Sequence, residues 1–199
     1  MSTPQIILAS TSAARRALLA GAGVDHDAVG SGVDEDAAKA AFAAEKWGPR
    51  EVAEALAELK AVRVSQTRPG LVIGADQTLD FEGRLYDKAP DLAAARERLE
   101  LLRGKPHRLH SAVVIARDGA PVWREVSTAT LTMRDFSDAF LDAYLSEEGP
   151  KALGSVGCYR LEGPGVQLFS SLEGDYFTIL GLPMMGLLDF LRRHGALGA

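Results

Sequence analysis

The chain has 199 residues, of which 47% are hydrophobic and 25% charged, which is enough apolar material for a packed core and excludes a wholly disordered chain. Its formal net charge of -5 argues against a general nucleic-acid binder, whose surface normally carries a basic face. The one cysteine, Cys158, rules out an internal disulfide and argues against a thiolate zinc site, so we expect it to be a small buried apolar residue.

The N-terminal segment, MSTPQIILAS, has an apolar run too short for a signal peptide and lacks a basic lead. No stretch approaches the about 18 apolar residues of a membrane span, so we expect a soluble, cytoplasmic protein that does not bind membranes. Residues 5–9 predict a buried strand. The hydroxyl-rich residues 10–12 then favour a helix N-terminus, and the helix should stop at Gly21 or Gly23.

Two helices are predicted before the next strand. An acidic loop at residues 33–36 precedes the first, which we expect over residues 37–47. Pro49 suits the first turn of the second, which we expect over residues 49–66. The apolar side chains at helical spacing along it are Leu56, Leu59 and Val62.

A buried apolar strand at residues 71–76 ends in the carboxylate of Asp76, and a hairpin turning at residues 82–83 follows it. Asp91 predicts the N-cap of a helix that runs to about Arg103 and ends at Gly104.

The last third of the chain begins with two alternating strands, at residues 107–116 and 121–131. Ser137 predicts the cap of a helix that runs to about residue 147, and the glycine-rich residues 154–169 predict a loop with a short strand. A final helix should start at residues 181–183 and end near residues 194–195.

Strands and helices alternate throughout, which predicts an α/β fold with a mixed central sheet flanked by helices. We expect one domain over residues 1–199. A second lobe near residues 90–150, sharing the same sheet, is left open.

The turn at residues 10–12, followed by Arg15 and Arg16, fits two roles. Backbone N–H groups, serine hydroxyls and the positive end of a helix bind phosphate, and an arginine one turn further adds a bidentate contact. A plain helix cap with solvated arginines fits the same residues.

Carboxylates stand at Asp34, Glu35 and Asp76. A carboxylate at a strand end is a metal ligand, a general base or a helix cap, and magnesium bound to a nucleotide takes one or two of them. The four histidines show no metal-ligand spacing, and no GxSxG, Walker A or GxGxxG motif is present, so covalent nucleophilic catalysis has no motif behind it.

Two lysines, Lys60 and Lys88, are either solvated or placed to reach a bound triphosphate. Glycines around Arg160 and Glu162 either permit close approach to a ligand or mark a surface loop.

Taken in order, these segments resemble the Maf family, known also as septum-formation inhibitor proteins and regarded as nucleoside triphosphate pyrophosphatases. The resemblance covers nearly the whole chain and implies two lobes with a cleft between them. The matching segments are residues 7–12, Arg15 and Arg16, residues 33–35, Lys60, residues 73–77, residues 157–163 and residues 180–183.

The resemblance implies a role for each residue of the phosphate site. Ser10, Ser12 and Arg15 would hold the triphosphate. Lys60 and Lys88 would neutralise its charge.

The resemblance also implies that Glu35 and Asp76 carry a divalent cation, Mg²⁺ or Mn²⁺, and activate water, with Asp76 as proton acceptor. Gln77 and Glu162 would read the base. Gln77 directly after Asp76 and Glu162 before a glycine are similar to the branch associated with 7-methyl-GTP rather than dTTP or UTP. An aromatic residue usual in that branch is Ala14 here, which makes Ala14 a specificity position.

A second departure is Asp87-Lys88-Ala89, where the family usually has Gly-Lys-Pro. The implied activity is cleavage of a nucleoside triphosphate between its α and β phosphates, which would remove non-standard nucleotides. The alternatives are a non-catalytic regulator of cell division and a phosphatase that releases orthophosphate. A homodimer is left open.

Overall fold

The computed structural model describes residues 4–198. Residues 1–3 of the N-terminal segment considered above, and residue 199, lie outside the described residues. Within this range, no helix combines the length and the apolar character that crossing a membrane requires.

Seven strands form one mixed sheet in the order β2-β1-β3-β5-β6-β7, with β4 beside β3. Strand β1 runs parallel to β2 and β3, and all other pairs are antiparallel. The predicted mixed α/β fold is therefore confirmed. The strands are β1 (Ile6–Leu8), β2 (Asp27–Ala28), β3 (Leu71–Phe81), β4 (Arg84–Tyr86), β5 (Pro106–Arg117), β6 (Ala120–Met133) and β7 (Phe169–Glu173).

The helices begin where the sequence offers capping side chains. Ser12, Asp34, Asp91 and Ser137 each accept a backbone N–H three residues further on, as N-caps do. The helices are α1 (Ala13–Gly21), α2 (Glu35–Ala44), α3 (Pro49–Ser65), α4 (Leu92–Leu102), α5 (Asp138–Glu148), α6 (Tyr176–Ile179) and α7 (Met184–Arg193), with 3₁₀ turns at Gly149–Gly154 and Pro164–Leu168.

Three local predictions are wrong, and one short helix was missed. Glu35 is the first residue of α2 rather than part of a loop, because Asp34 caps the helix. Asp76 lies in the middle of β3 rather than at its end, because β3 continues to Phe81 by pairing with β4 and β5. Leu59 does not belong to the buried stripe of α3, since 42% of its surface is exposed. The short helix α6 was not predicted.

Helices cover both faces of the sheet. Helix α3 packs on one face with small side chains against alanines and valines of β5. On the other face, α1 and α7 pack at one end of β3, and α4 and α5 pack at the opposite end. Cys158 is fully buried in the second of these clusters, as expected. The single domain and the second lobe near residues 90–150 stay predictions.

One edge of β3 changes partner along its length. Residues Leu71, Val72 and Ile73 pair with β1, and Leu79, Asp80 and Phe81 pair with β4. Residues 74–78 lie between these two pairings, in a gap that neither strand fills. On its other edge β3 stays paired with β5 throughout the gap, so the backbone there is held firmly while one side is open.

Gly74 opens the gap and sets the distance between β3 and α3. A Cβ added to it would lie 2.5 Å from the Ala61 nitrogen and closer still to the Ala57 carbonyl oxygen. The helix therefore approaches the strand more closely than any other residue at this position would allow. This approach lets a lysine on α3 reach the middle of β3.

We predict that Gly74→Ala destabilises the fold, because backbone atoms of α3 cannot move aside as a flexible side chain can. Overpacking of this kind typically costs about 1–3 kcal/mol. Thermal and urea unfolding measure the loss. The matched control is Gly21→Ala, where an added Cβ meets no described atom within 4 Å and the exchange should be neutral or stabilising. Equal midpoints for the two variants would contradict the packing argument.

Candidate active site

A cleft of about 1040 Å³ opens at the gap in β3. Its walls come from the turn before α1, from α2 and α3, from the segment after β4, and from the glycine-rich loop before the second 3₁₀ turn. The structure brings together at this cleft every site residue expected from the sequence. These are Ser10, Ser12, Ala14, Arg15, Glu35, Lys60, Asp76, Gln77, Lys88 and Glu162.

Two carboxylates share one ammonium group at the floor of the cleft. The Lys60 Nζ lies 2.5 Å from the Asp76 Oδ1 and 2.8 Å from the Glu35 Oε1. Lys60 and Asp76 are buried, at 5% and 7% exposure, whereas the Glu35 side chain is 41% exposed. Of the two roles open for Lys60, the solvated one is excluded by this burial.

The surroundings push the two carboxylates in opposite directions. Burial raises the pKa of Asp76, and the positive charges of Lys60 and Arg15 offset that effect only in part. Burial also opposes ionisation of Glu35, but its bond to Lys60 and the charges of Lys39 and Arg15 outweigh it and lower its pKa. The raised pKa makes Asp76 the stronger base of the two, and the lowered pKa of Glu35 favours its ionised form.

The donor set fits a hard divalent cation. The Glu35 and Asp76 oxygens converge on one positive charge, that of Lys60. Among residues 4–198, no group of three or more His, Cys, Asp or Glu side chains could hold a metal by itself. Two carboxylates with no nitrogen or sulfur ligand suit magnesium or manganese completed by water and phosphate oxygens, and do not suit zinc.

Arg15 ties three elements together at the rim of the gap. Its Nε donates to the Gly181 carbonyl at 2.9 Å, and its Nη1 donates to the Ala75 carbonyl at 2.9 Å. Gly181 has a φ of 94°, a backbone conformation that favours glycine. Burial lowers the pKa of Arg15, against the raising effect of Asp76 and Glu35. Its expected bidentate grip on phosphate therefore stays a prediction, and in this conformation two of its donors serve the protein itself.

The serine turn is a helix cap whose hydroxyls line the cleft. Ser12 Oγ accepts the Arg15 backbone N–H at 3.4 Å, and Ser10 Oγ accepts the Ser12 N–H at 3.2 Å. The two roles left open for this turn are compatible, because the cap orients the N-terminus of α1 toward the same cleft.

Gln77 lies on the opposite face of β3 from Asp76. Its amide nitrogen donates to the carbonyl oxygens of Thr178 and Ile179 and to the Ser111 hydroxyl, at 2.9–3.1 Å. These bonds fix the orientation of the amide and leave its oxygen as the atom that can accept an N–H from a base.

The glycine-rich loop forms the far wall of the cleft. Tyr159 lies there, and its hydroxyl is 2.7 Å from Nε2 of the buried His107. Burial lowers the pKa of His107 to about 4, so the ring is neutral at physiological pH. Gly157 packs against the Tyr159 ring so tightly that an added Cβ would collide with it. A glycine at this position is therefore required for packing within the protein.

Glu162 is exposed at the cleft, with its Oε1 3.7 Å from Nε of Arg160. The weak pairing leaves its carboxylate accessible to a ligand. Lys88 is also exposed at the cleft.

Two cationic residues of the cleft were not predicted, Lys39 on α2 and Lys151 in the first 3₁₀ turn. Lys39 follows Glu35 by four residues, so the helical repeat places both on one face. That spacing could have identified Lys39 from the sequence. No sequence signal identifies Lys151, because its position depends on how the 3₁₀ turn packs.

Comparison with known proteins identifies relatives of the chain. The family model described as Maf-like protein matches residues 5–194. A nucleoside triphosphate pyrophosphatase of Caulobacter vibrioides is 64% identical over 99% of both chains. A 7-methyl-GTP pyrophosphatase of Rhizobium meliloti is 50% identical over 98% of this chain and 99% of its own, and one of Brucella abortus is 47% identical over 96% and 97%.

Proposed function

The chain belongs to the Maf family, and from this premise we propose that it hydrolyses nucleoside triphosphates to nucleoside monophosphates and pyrophosphate. The observation that carries the proposal is the Glu35–Lys60–Asp76 group in the same cleft as the N-terminus of α1, which is suited to bind phosphate. A purely regulatory, non-catalytic role does not explain why two carboxylates with divergent pKa values meet in the cleft.

Asp76 is the proposed proton acceptor. Its raised pKa makes it the better base of the pair, although Lys60 keeps it from being protonated too readily. It would take the proton from a water molecule whose oxygen attacks the α-phosphorus. The bond from the α-phosphorus to the bridging oxygen then breaks, and pyrophosphate leaves.

A divalent cation held by Glu35 and Asp76 would lower the pKa of water and neutralise phosphate oxygens. Residues of the chain position the carboxylates and bind the phosphate groups. Lys60 holds the two carboxylates in place. The N-terminus of α1 and its two serine hydroxyls would bind phosphate oxygens, and Lys88 would meet the leaving pyrophosphate.

We propose a guanine-type base for the substrate. Guanine presents adjacent N1–H and N2–H donors, and the Glu162 carboxylate and the Gln77 amide oxygen are both acceptors. Uracil and thymine offer one N–H between two carbonyl oxygens, which a carboxylate repels. The 7-methyl-GTP pyrophosphatases among the relatives support this choice. Ala14 provides no aromatic face for a cationic base, so the advantage of 7-methyl-GTP over GTP should be small.

An enzyme that hydrolyses nucleoside triphosphates acts in the compartment that contains the nucleotide pool, so we propose a cytoplasmic location. Whether the chain forms a homodimer stays a prediction.

The direct test is a panel of standard and modified nucleotides with Mg²⁺ or Mn²⁺, in which pyrophosphate and orthophosphate are scored separately. We expect monophosphate and pyrophosphate as products, and no turnover once a chelator removes the cation. Orthophosphate as the only phosphorus product would favour a terminal phosphatase. Turnover that persists under chelation would exclude the proposed metal site.

Asp76→Asn should lower kcat by at least about a hundredfold, because it keeps the shape of the side chain but removes the base. The matched control is Asp80→Asn. Asp80 is also buried on the same face of β3, four residues further on, but it pairs with His110 outside the cleft. Asp80→Asn should lower the free energy of unfolding and leave kcat nearly unchanged. Similar kcat losses in both variants would mean that Asp76 is only structural.

Glu162→Gln should lower kcat/KM for GTP and 7-methyl-GTP by about tenfold, since a hydrogen bond to a charged group is worth about 1.5–3 kcal/mol. The kcat/KM values for UTP and dTTP should rise or stay level, because the variant lacks the negative charge of Glu162 that repels their carbonyl oxygens. Glu173→Gln, on the exposed edge strand β7, is the control. Wild-type enzyme that prefers UTP or dTTP would rule out the guanine proposal while leaving the pyrophosphatase proposal intact.

A further inference from the structure

A second ion pair joins two residues that line the cleft. The Lys39 Nζ on α2 lies 2.5 Å from the Oδ1 of Asp87, the residue that follows β4. Both residues line the cleft. The pair therefore connects two segments of the cleft wall that are 48 residues apart in sequence, in the same cleft as the Glu35 and Asp76 carboxylates.

Asp87 is held in position by contacts with Arg98. Arg98 on α4 donates through Nη1 to the Asp87 carbonyl at 3.0 Å and to the Val156 carbonyl at 2.9 Å. The Arg98 guanidinium also stacks over the Tyr86 ring, 4.5 Å from its centroid. The backbone of Asp87 is thus fixed to the glycine-rich loop, and Lys39, with its four-carbon side chain, is the member of the pair that can reach a different partner.

Lys39 already lies in the field of the catalytic carboxylates. Burial opposes its charge, but the bond to Asp87 and the charges of Asp76 and Glu35 outweigh this and raise its pKa. Its ammonium is therefore charged and close enough to the site to act on a bound phosphate.

We propose that Lys39 is a further triphosphate-binding residue, and that it stays paired with Asp87 until the nucleotide binds. This inference rests on the proposed pyrophosphatase function. The Asp87 side chain is 59% exposed, and an ion pair this exposed contributes little free energy. A triphosphate offers several charged oxygens within a partly desolvated cleft, where charge-assisted bonds are stronger. On binding, the Lys39 ammonium leaves the Asp87 carboxylate and contacts a phosphate oxygen. Because Asp87 competes with phosphate for this ammonium, Asp87 lowers the apparent affinity of the protein for the nucleotide.

The test measures binding separately from turnover. The Kd of a non-hydrolysable α,β-methylene analogue of GTP is determined by calorimetry with Mg²⁺ for wild type, Lys39→Gln, Asp87→Asn and the double variant. Lys39→Gln should weaken binding about tenfold, the loss of one charge-assisted contact. Asp87→Asn should tighten it about threefold, and this gain should vanish in the Lys39→Gln background, as coupled sites behave.

Lys39→Arg should retain most of the affinity, and Lys46→Gln, an exposed position just after α2, should leave Kd unchanged. Equal Kd values for wild type and Lys39→Gln would overturn the inference. So would a gain from Asp87→Asn that persists without Lys39, because Asp87 would then act only by repelling phosphate. If the analogue binds as expected but GTP yields no pyrophosphate, the proposed function fails while the assignment of Lys39 stands.

Discussion

The burial of a carboxylate in the middle of a sheet is the constraint on which this site depends. An ionised Asp76 is tolerated there because the Lys60 ammonium lies against it and Arg15 adds a second positive charge. That contact requires α3 to approach β3 closely, which requires a glycine at position 74 and small side chains on the helix. The alanine-rich packing of α3 is thus set by the needs of the site as much as by those of the core.

The gap in β3 gives this arrangement access to solvent and ligand. A strand paired on both edges would cover its backbone, and side chains on its two faces would lie in separate layers. Because β1 ends early and β4 starts late, Asp76 and Gln77, which point to opposite faces, both reach one cleft. The chemistry and the recognition of the base can therefore sit on adjacent residues of a single strand.

The sequence predicted the secondary structure well where capping residues and alternation are strong, as at Ser12, Asp91 and Ser137. It predicted the wrong end for β3, because a polar residue inside a strand resembles a strand terminus until its pairing partners are known. It also identified which residues share the cleft, and the order of motifs along the chain was the signal. It could not show that Arg15 binds two carbonyl groups or that Asp87 meets Lys39, since both contacts join segments that lie far apart in the chain.

The charges of the cleft explain how an acidic protein can accept a polyanion. The chain carries a formal net charge of -5, and the Glu35–Lys60–Asp76 group has two carboxylates for one ammonium. With both carboxylates ionised, this group repels a triphosphate, and Asp87 offsets the charge of Lys39. A divalent cation bound between carboxylates and phosphate would turn this repulsion into attraction. This is the electrostatic reason for proposing that the nucleotide binds together with its metal: Arg15, Lys39 and Lys60 are already engaged within the protein, so a bare triphosphate gains less from them.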